Sequence, residues 1–398
     1  MSGMRLLIVM DIFVPARTSG ALQMRDLVRE LLVQGHKPTV VVPAPEISLP
    51  WRIDDVDGIE VLRVRTLQAK DVNKVQRSLA EWWLPYALLR GLRKSPLDDT
   101  RWDGIVWYSP TIFLAPIVKA LKRRWGCRGY LILRDLFPDG AVDAGLLRKG
   151  WIYSFFKWVE RQQYAVADVI GVQTPANVPL VRADSPAGAR IEVLNNWLAK
   201  PMVAQSCIDV SSGALAGRTL FAYTGNMGAA QGMDCLINLA HQLCDRNDVG
   251  FVFVGRGSEL PRLRAMVDHL KLENVLFIDE VDADQVPGLL AQCDVGLIAL
   301  DPRHTTHNIP GKLLTYLHAG LPVLARINPG NDLEAIINEE GIGLVVAGDN
   351  SDEFLRMAET LLASKELRSR MGAAAELLVH RDFSTESVAR QVVKGLTE

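Results

Sequence analysis

The sequence predicts an α/β protein of two doubly wound parallel-sheet domains facing each other across a cleft. Short apolar, β-branched runs recur along the chain with stretches of helical spacing between them, and this alternation marks βα units around parallel sheets. The pattern breaks once, from Trp197 to Arg218, where Pro201, paired serines, Gly213 and Gly217 interrupt any sustained period. The two sides of that break differ in charge and aromatic content. Up to Trp197 there are 27 Lys+Arg against 20 Asp+Glu, or +7; the remainder of the 44 and 46 is 17 against 26, or −9, and every tryptophan from Trp51 to Trp197 lies in the first part. Such asymmetry points to domains with different partners. The predicted division is a first domain over 1–197, a linker over 198–218, a second domain over 219–380, and a closing helix over 381–398 that returns to the first domain.

In order, the strands of the first half are LLIVM (6–10), TVVV (39–42), IEVLRV (59–64), GIVWYS (104–109), YLILR (130–134), VIGVQT (169–174) and IEVLN (191–195). Those of the second half are LFAYTG (220–225), GFVFVG (250–255), VLFID (275–279), VGLIAL (295–300), PVLAR (322–326) and GLVV (343–346). Helical spacing fills the gaps, as from Ala21 to Gln34, ended by Gly35, and from Ser258 to Leu270. Ligands of such sheets bind beyond the carboxyl ends of the strands, so the chemistry is expected in the loops that lead into helices.

Composition excludes several classes. With 398 residues, 48% hydrophobic and 23% charged, the chain is neither a single small module nor a disordered or fibrous protein. The opening MSGMRLLIVMDIF meets an Asp after a short apolar run, and no run approaches the ~18–20 residues of a membrane span, so neither a signal peptide nor a transmembrane helix is predicted. Cys127, Cys207, Cys235, Cys244 and Cys293 form no CxxC pair and are expected to be free thiols in a reducing cytoplasm. Basic residues form no continuous stripe and the formal charge is −2, which gives nucleic acid no footprint.

Two glycine loops follow strands of the second half. In LFAYTGNMGAAQGMDCLINLA, Gly225, Gly228 and Gly232 surround the turn into a helix, where backbone N–H groups and the helix dipole favour an anion. In VGRGSEL (254–260), Arg256 is placed to clamp a phosphate. A glycine turn serving backbone geometry alone stays open for each. The longest informative segment is HTTHNIPGKLLTYLHAGLPVLARINPGND, where Pro310 and Gly311 open a helix and Lys312 in its first turn is placed beside an anion site. His304 and His307 make an HxxH pair without a third ligand at suitable spacing, and no metal is expected there. Asp282 and Asp284 form a DxD before QVPGLLAQC, read as a helix N-cap rather than a metal ligand pair.

These segments resemble the retaining glycosyltransferases of the GT-B fold, family four, in the group that builds bacterial O-antigen and capsule. DIFVPARTSGALQMRDLVRELLVQGHKPTVVVP looks like the family's opening strand, glycine loop and helix, and RDLFPDGAVDAGLL like its cleft-lining loop. NIPGKLLTYLHAGLPVLARINPGNDL looks most like N-acetyl-L-fucosamine transferases. The resemblance implies two Rossmann-like domains, a UDP-sugar on the second and a polyprenyl-diphosphate-linked saccharide on the first, in lipopolysaccharide or other polysaccharide biosynthesis. Carried over, Gly225, Asn226 and Gly228 approach the diphosphate with Arg256 and Lys312 neutralising it, and Glu280 and Val281 meet the uracil. His307, Asn308, Ile309, Pro310, Gly311 and Thr315 lie at the donor, the loop Ser19–Gly20 closes the site, and Arg134 and Asp135 face the transferring carbon. No cofactor or metal is implied.

The chain departs from the wider family in places. Its Glu-x7-Glu pattern falls on His307 and Thr315, the usual Arg and Lys after the first donor-domain strand fall on Asn226 and Gln231, and Arg134 replaces a histidine. Three segments, EWWLPYALLRGLRKS (81–95), VKALKRRWGCR (118–128) and RKGWIYSFFKWVERQQ (148–163), interleave basic and aromatic residues as interfacial helices do, or else bury those aromatics as core. The membrane reading implies a protein on the cytoplasmic face of the inner membrane. Rival readings are a sugar-nucleotide epimerase of related fold, which wants acid/base groups where the first half offers only His36, and a non-catalytic assembly scaffold, motivated by the absent glutamates. A nicotinamide dehydrogenase lacks its GxGxxG after the first strand.

Overall fold

Apolar strands buried on both faces need helices on both sides, and the computed structural model supplies them in two units, Met1–Trp197 with Thr385–Glu398, and Leu198–Ser384. It describes residues 3–16, 18–69, 72–143, 147–199, 208–210, 212–303 and 309–398.

The first unit runs β1 (Arg5–Val9), α1 (Ser19–Val33), β2 (Lys37–Pro43), β3 (Trp51–Val56), β4 (Ile59–Val64), α2 (Lys74–Lys94), β5 (Gly104–Ser109) and α3 (Ala115–Trp125). It continues with β6 (Arg128–Leu133), α4 (Asp139–Asp143), α5 (Trp151–Val166), β7 (Val169–Val172), α6 (Asn177–Asp184) and β8 (Arg190–Val193). The strands form one sheet in the order β3-β4-β2-β1-β5-β6-β7-β8, with Leu7 opposite both Thr39 and Ile105. Strand β3 is absent from the sequence-based prediction because Arg52, Asp54 and Asp55 break its apolar pattern. It is an antiparallel edge, and its Asp54 pairs with Arg63 of β4 at 2.6 Å.

The second unit runs β9 (Thr219–Thr224), a 3-10 turn (Ala229–Gln231), α7 (Asp234–Gln242), β10 (Val249–Val254), α8 (Leu260–Leu270), β11 (Val275–Ile278), α9 (Val286–Leu290) and β12 (Val295–Ala299). It ends with α10 (Gly311–His318), β13 (Val323–Ile327), α11 (Asp332–Glu340), β14 (Gly343–Ala347), α12 (Ser351–Ala363) and α13 (Lys365–Asp382). Its parallel sheet has the order β11-β10-β9-β12-β13-β14. Within the stretch read as a linker, Val210 and Leu215 are buried in this unit's core.

Helix α14 (Thr385–Thr397) belongs to the first unit and starts later than the predicted residue 381. Its Val388, Ala389, Val392 and Leu396 join the core beneath α1 and β6, and a Cβ on Gly395 would meet the Tyr130 ring at 2.7 Å. In each sheet the strand order reverses beside the first strand, at β1/β5 and at β9/β12, and the carboxyl ends there are the expected ligand positions.

Candidate active site

In the second unit the loops after β9 and β10 are locked together by backbone contacts. Gly225 N–H donates to Val254 O at 2.9 Å, Met227 N–H to Arg256 O at 2.7 Å, and Glu259 N–H to Met227 O at 3.0 Å. Gly255 and Gly257 have φ of +142° and +158°, and a Cβ on either would fall on the backbone of Gly225 or Met227. Here the close approach itself requires glycine.

The two positions that carry cations in the wider family bond to each other instead. Gln231 Oε1 accepts from Asn226 Nδ2 at 3.3 Å and from Gly228 N–H at 2.9 Å. The Gly228 N–H expected to meet a diphosphate is thus engaged until Gln231 moves. Tyr223 Oη donates to Asn226 O at 2.6 Å and fixes the same turn from below.

Pro310 opens α10, and among the described residues no side chain caps it, so its first N–H groups keep their capacity for an anion. Lys312 in that first turn has its Nζ 3.6 Å from the Tyr223 ring centroid, and its Cε lies 3.9 Å from where a Gly225 Cβ would sit. It makes no ion pair among the described residues, and loss of hydration lowers its ammonium to about 7. The buried Tyr316 on the same helix accepts from Thr224 N–H at 3.0 Å and donates to Leu297 O at 3.1 Å, bolting α10 to β9 and β12. Sequence reasoning missed Tyr223 and Tyr316. Strand and helix periods mark them as inward-facing but do not tell that one ring would carry a lysine and the other tie a helix to two strands.

Arg256 is placed differently from a bare phosphate clamp. Its side chain is 79% exposed and pairs with Glu280 at 3.3 Å, so an anion has to compete with that carboxylate. Val281, expected with Glu280 at the base, is half-buried with one side against the core. Ile309 is buried, Gly311 is exposed, and Thr315 lies half-buried within α10; His304, His307 and Asn308 fall outside the described residues. Asp284 does not cap the next helix: α9 follows Gln285 with no side-chain cap, and Pro287 in its first turn has no N–H to satisfy.

In the first unit, Ser19 and Gly20 are the first turn of α1 rather than a loop, because Thr18 Oγ1 accepts from Ala21 N–H and starts the helix early. Gly20 lies against Tyr108, where a Cβ would be 2.7 Å from the phenol oxygen. Burial raises the Tyr108 hydroxyl, which lies in the fields of Arg134, Asp135 and Asp11. Arg134 stacks over Trp197 at 4.6 Å and donates to Leu194 O at 3.0 Å and Asn195 O at 3.3 Å, and desolvation lowers it to about 10. This arginine therefore braces the backbone that follows β8, the edge strand of the sheet. Desolvation raises the neighbouring Asp135 carboxyl against the pull of Arg134.

Asp139, Glu160 and Asp184 approach one another closely enough for a cation. The Lys157 ammonium fills that position, at 2.5, 2.6 and 2.7 Å from the carboxylates.

Two family models match the chain: Glycosyl transferase 4-like domain over residues 20–197 and Glycosyl transferases group 1 over residues 218–364. Among curated relatives, the chain is 24% identical over 228 residues to the probable glycosyltransferase WbjE of Pseudomonas aeruginosa, covering 56% of this chain and 57% of that one. The chain thus spans little more than half the length of that relative. It is 24% identical over 403 residues to the putative colanic acid biosynthesis glycosyl transferase WcaI of Escherichia coli K12, covering 93% and 94%. Among solved structures, Anabaena Alr3699/HepE in complex with UDP has the same fold, with TM-score 0.67 at 15% identity over 99% of this chain and 100% of that one.

Proposed function

Given that this chain is a glycosyltransferase of the GT-B fold, we propose that it moves a sugar, with retention, from a UDP-sugar to a polyprenyl-diphosphate-linked saccharide in O-antigen, capsule or exopolysaccharide assembly. N-acetyl-L-fucosamine is the proposed donor sugar. The observation that carries the reading is Lys312, an unpaired ammonium among the described residues, at the uncapped start of α10 and against the interlocked glycine loops. That arrangement suits a diphosphate: a helix N-terminus and one charge meet beside the glycine loops at the carboxyl ends of the strands, and Gly228 N–H joins them once Gln231 moves. The HepE complex with UDP supports a uridine donor, and the printed name of WcaI supports a polysaccharide pathway.

In this reading the leaving diphosphate accepts the acceptor's proton, so no protein nucleophile is needed and the residues act by positioning and by stabilising charge. Lys312 and the first N–H groups of α10 neutralise the leaving group, joined by Arg256 once it leaves Glu280. Gly225 and Asn226 line the diphosphate, Glu280 reaches the uracil when released, and His307 to Gly311 with Thr315 bound the sugar. Ser19, Gly20, Arg134 and Asp135 serve the acceptor side. No metal takes part, and EDTA is expected to leave turnover unchanged; abolition with manganese rescue would contradict this.

The acceptor lipid places the protein at the cytoplasmic face of the inner membrane. Exposed Trp82, Trp83 and Tyr86 on α2 and Trp151, Phe155 and Trp158 on α5 support that placement, whereas Trp125 of α3 is half-buried beneath Arg124. Among the described residues no helix is long and apolar enough to cross a membrane. Calorimetry against UDP, GDP, NAD and a UDP-sugar panel without metal tests the donor. Selective binding of UDP and one UDP-sugar is expected, and a protein that binds no uridine nucleotide would sink the reading.

A further inference from the structure

Two cavities of the first unit share a wall. The larger, of about 680 Å³, opens beyond the carboxyl ends of β1, β2 and β4, and its polar lining includes Asp11, Glu46, Gln68, Arg77, Glu81 and Thr111. The smaller, of about 200 Å³, is a groove between α2, α3 and α5 walled by Trp82, Tyr86, Ile112, Phe113, Trp158 and Val159. One turn of α2 and one short loop separate them. Ala80, Glu81 and Leu84 face the larger cavity while Trp82, Pro85 and Tyr86 face the groove, and Thr111 faces the first while Ile112 and Phe113 face the second.

The groove is too small and too apolar for a nucleotide or a saccharide, since sites for such ligands run to roughly 300–1,000 Å³. It suits a slender hydrocarbon. Its aromatic wall continues over the surface, with Trp82 and Phe155 centroids 5.7 Å apart and Phe155 and Trp158 6.3 Å apart, and Trp151 is 82% exposed beyond them. Leaving such rings in water forgoes about 25 cal/mol for each Å². Cations border the same surface: Lys119 lines the groove, Arg123 follows one turn later, and Arg90, Arg93 and Lys94 extend the outer face of α2. None of these five makes an ion pair among the described residues, so the surface around the groove complements an anionic lipid layer from which a hydrocarbon chain can enter.

We propose that groove and cavity together hold one amphiphilic acceptor, the start of its hydrocarbon chain along the aromatic groove and its saccharide head in the polar cavity. This rests on the transferase reading above, and it adds the chain-binding groove and the residues that form it.

The test uses the full chain and a soluble amphiphile, farnesyl-diphosphate-N-acetylglucosamine below its aggregation concentration, with N-acetylglucosamine 1-phosphate and farnesyl phosphate as its separate halves. The whole amphiphile is expected to bind saturably, about tenfold or more tighter than either half, because the chain buries apolar surface that the head lacks. Ala115→Phe, which fills the groove, and Trp158→Ser, which removes an exposed wall, are each expected to weaken it by about fivefold or more with UDP affinity unchanged. Trp158 is exposed, so its variant carries the test if Ala115→Phe fails to fold. Equal binding in both variants, or a head group that binds as tightly without its chain, overturns the proposal. UDP binding without chain-dependent affinity brings down the groove alone, whereas chain binding without any uridine nucleotide binding brings down the uridine-donor reading alone.

Discussion

Raising the pH from 6.0 to 8.5 should weaken UDP-sugar binding, because the cation proposed to hold the diphosphate loses its charge within that interval. Lys312 stands over the Tyr223 ring with its ammonium lowered to about 7 by lost hydration. A dianionic diphosphate beside it favours the charged form and should return it towards the ordinary lysine value of about 10.4. Affinity then follows the fraction of free protein already protonated, roughly 0.9 at pH 6.0 and 0.03 at pH 8.5, so the dissociation constant should rise about 30-fold. Below pH 7 the profile should be flat, and above it the slope should approach tenfold per unit. Binding at pH 8.0 should draw about 0.9 proton from solution.

Titration calorimetry in buffers of different ionisation enthalpy measures both quantities, and a UDP-sugar is preferable to UDP because it has no terminal phosphate to titrate. Lys312→Arg keeps its charge throughout and should abolish the proton uptake and flatten the profile. The free protein should show the opposite linkage. Its folded state binds fewer protons than the unfolded chain between about pH 7 and 10, so its stability gains from this lysine as pH rises through that window. A wild-type affinity independent of pH, with no proton uptake, would refute the assignment of Lys312 to the diphosphate.

Lys312→Ala should lower turnover by at least ~10²-fold, the scale of losing one preorganised electrostatic donor, and near-normal steady-state rates would refute its role. Gly255→Ala should force the β9 and β10 loops apart, weakening UDP binding about tenfold or more and destabilising the second unit by about 1–3 kcal/mol in denaturant titrations. Gly188→Ala, with open space around it, serves as the neutral comparison. Lys157→Met should destabilise the first unit by about 3–5 kcal/mol by stranding the buried Glu160 beside Asp139 and Asp184; recovery in Lys157→Met/Glu160→Gln by thermal denaturation would identify uncompensated charge as the cause.

What the sequence made legible follows from how local each signal is. Fully apolar runs such as LLIVM and GFVFVG announce central strands because nothing else buries them on both faces, and β1 and β10 lie there. WRIDDV carries no such signal, since an edge strand needs only one covered face and tolerates charge. The start of α1 was misplaced for a similar reason: Ser19–Gly20 has the composition of a loop, and only the Thr18 cap determines that it is helical. Lys312 was legible from its place after Pro310 and Gly311. Its environment was not, because the Tyr223 ring beneath it and the Glu280 partner of Arg256 are long-range packing facts that no local pattern encodes.

Asn226 and Gln231 make one further consequence testable. Where the resembling family commonly has an arginine and a lysine, this chain has two neutral amides bonded to each other, with Gln231 also holding the Gly228 N–H. The loop is thereby closed on itself, and the nearest ammonium is one that titrates near neutrality. Diphosphate binding should therefore be weaker and more dependent on pH than in a site with permanent cations. Asn226→Arg/Gln231→Lys supplies those cations and releases Gly228 at once. Each charge-assisted hydrogen bond is worth about 1.5–3 kcal/mol, so UDP should bind at least about tenfold tighter at pH 8.5, where Lys312 contributes least. The same gain holds the product, so kcat should fall wherever UDP release limits turnover while burst-phase transfer is preserved. If the double variant binds UDP no better than the wild type at either end of the pH range, the loop after β9 does not face the diphosphate.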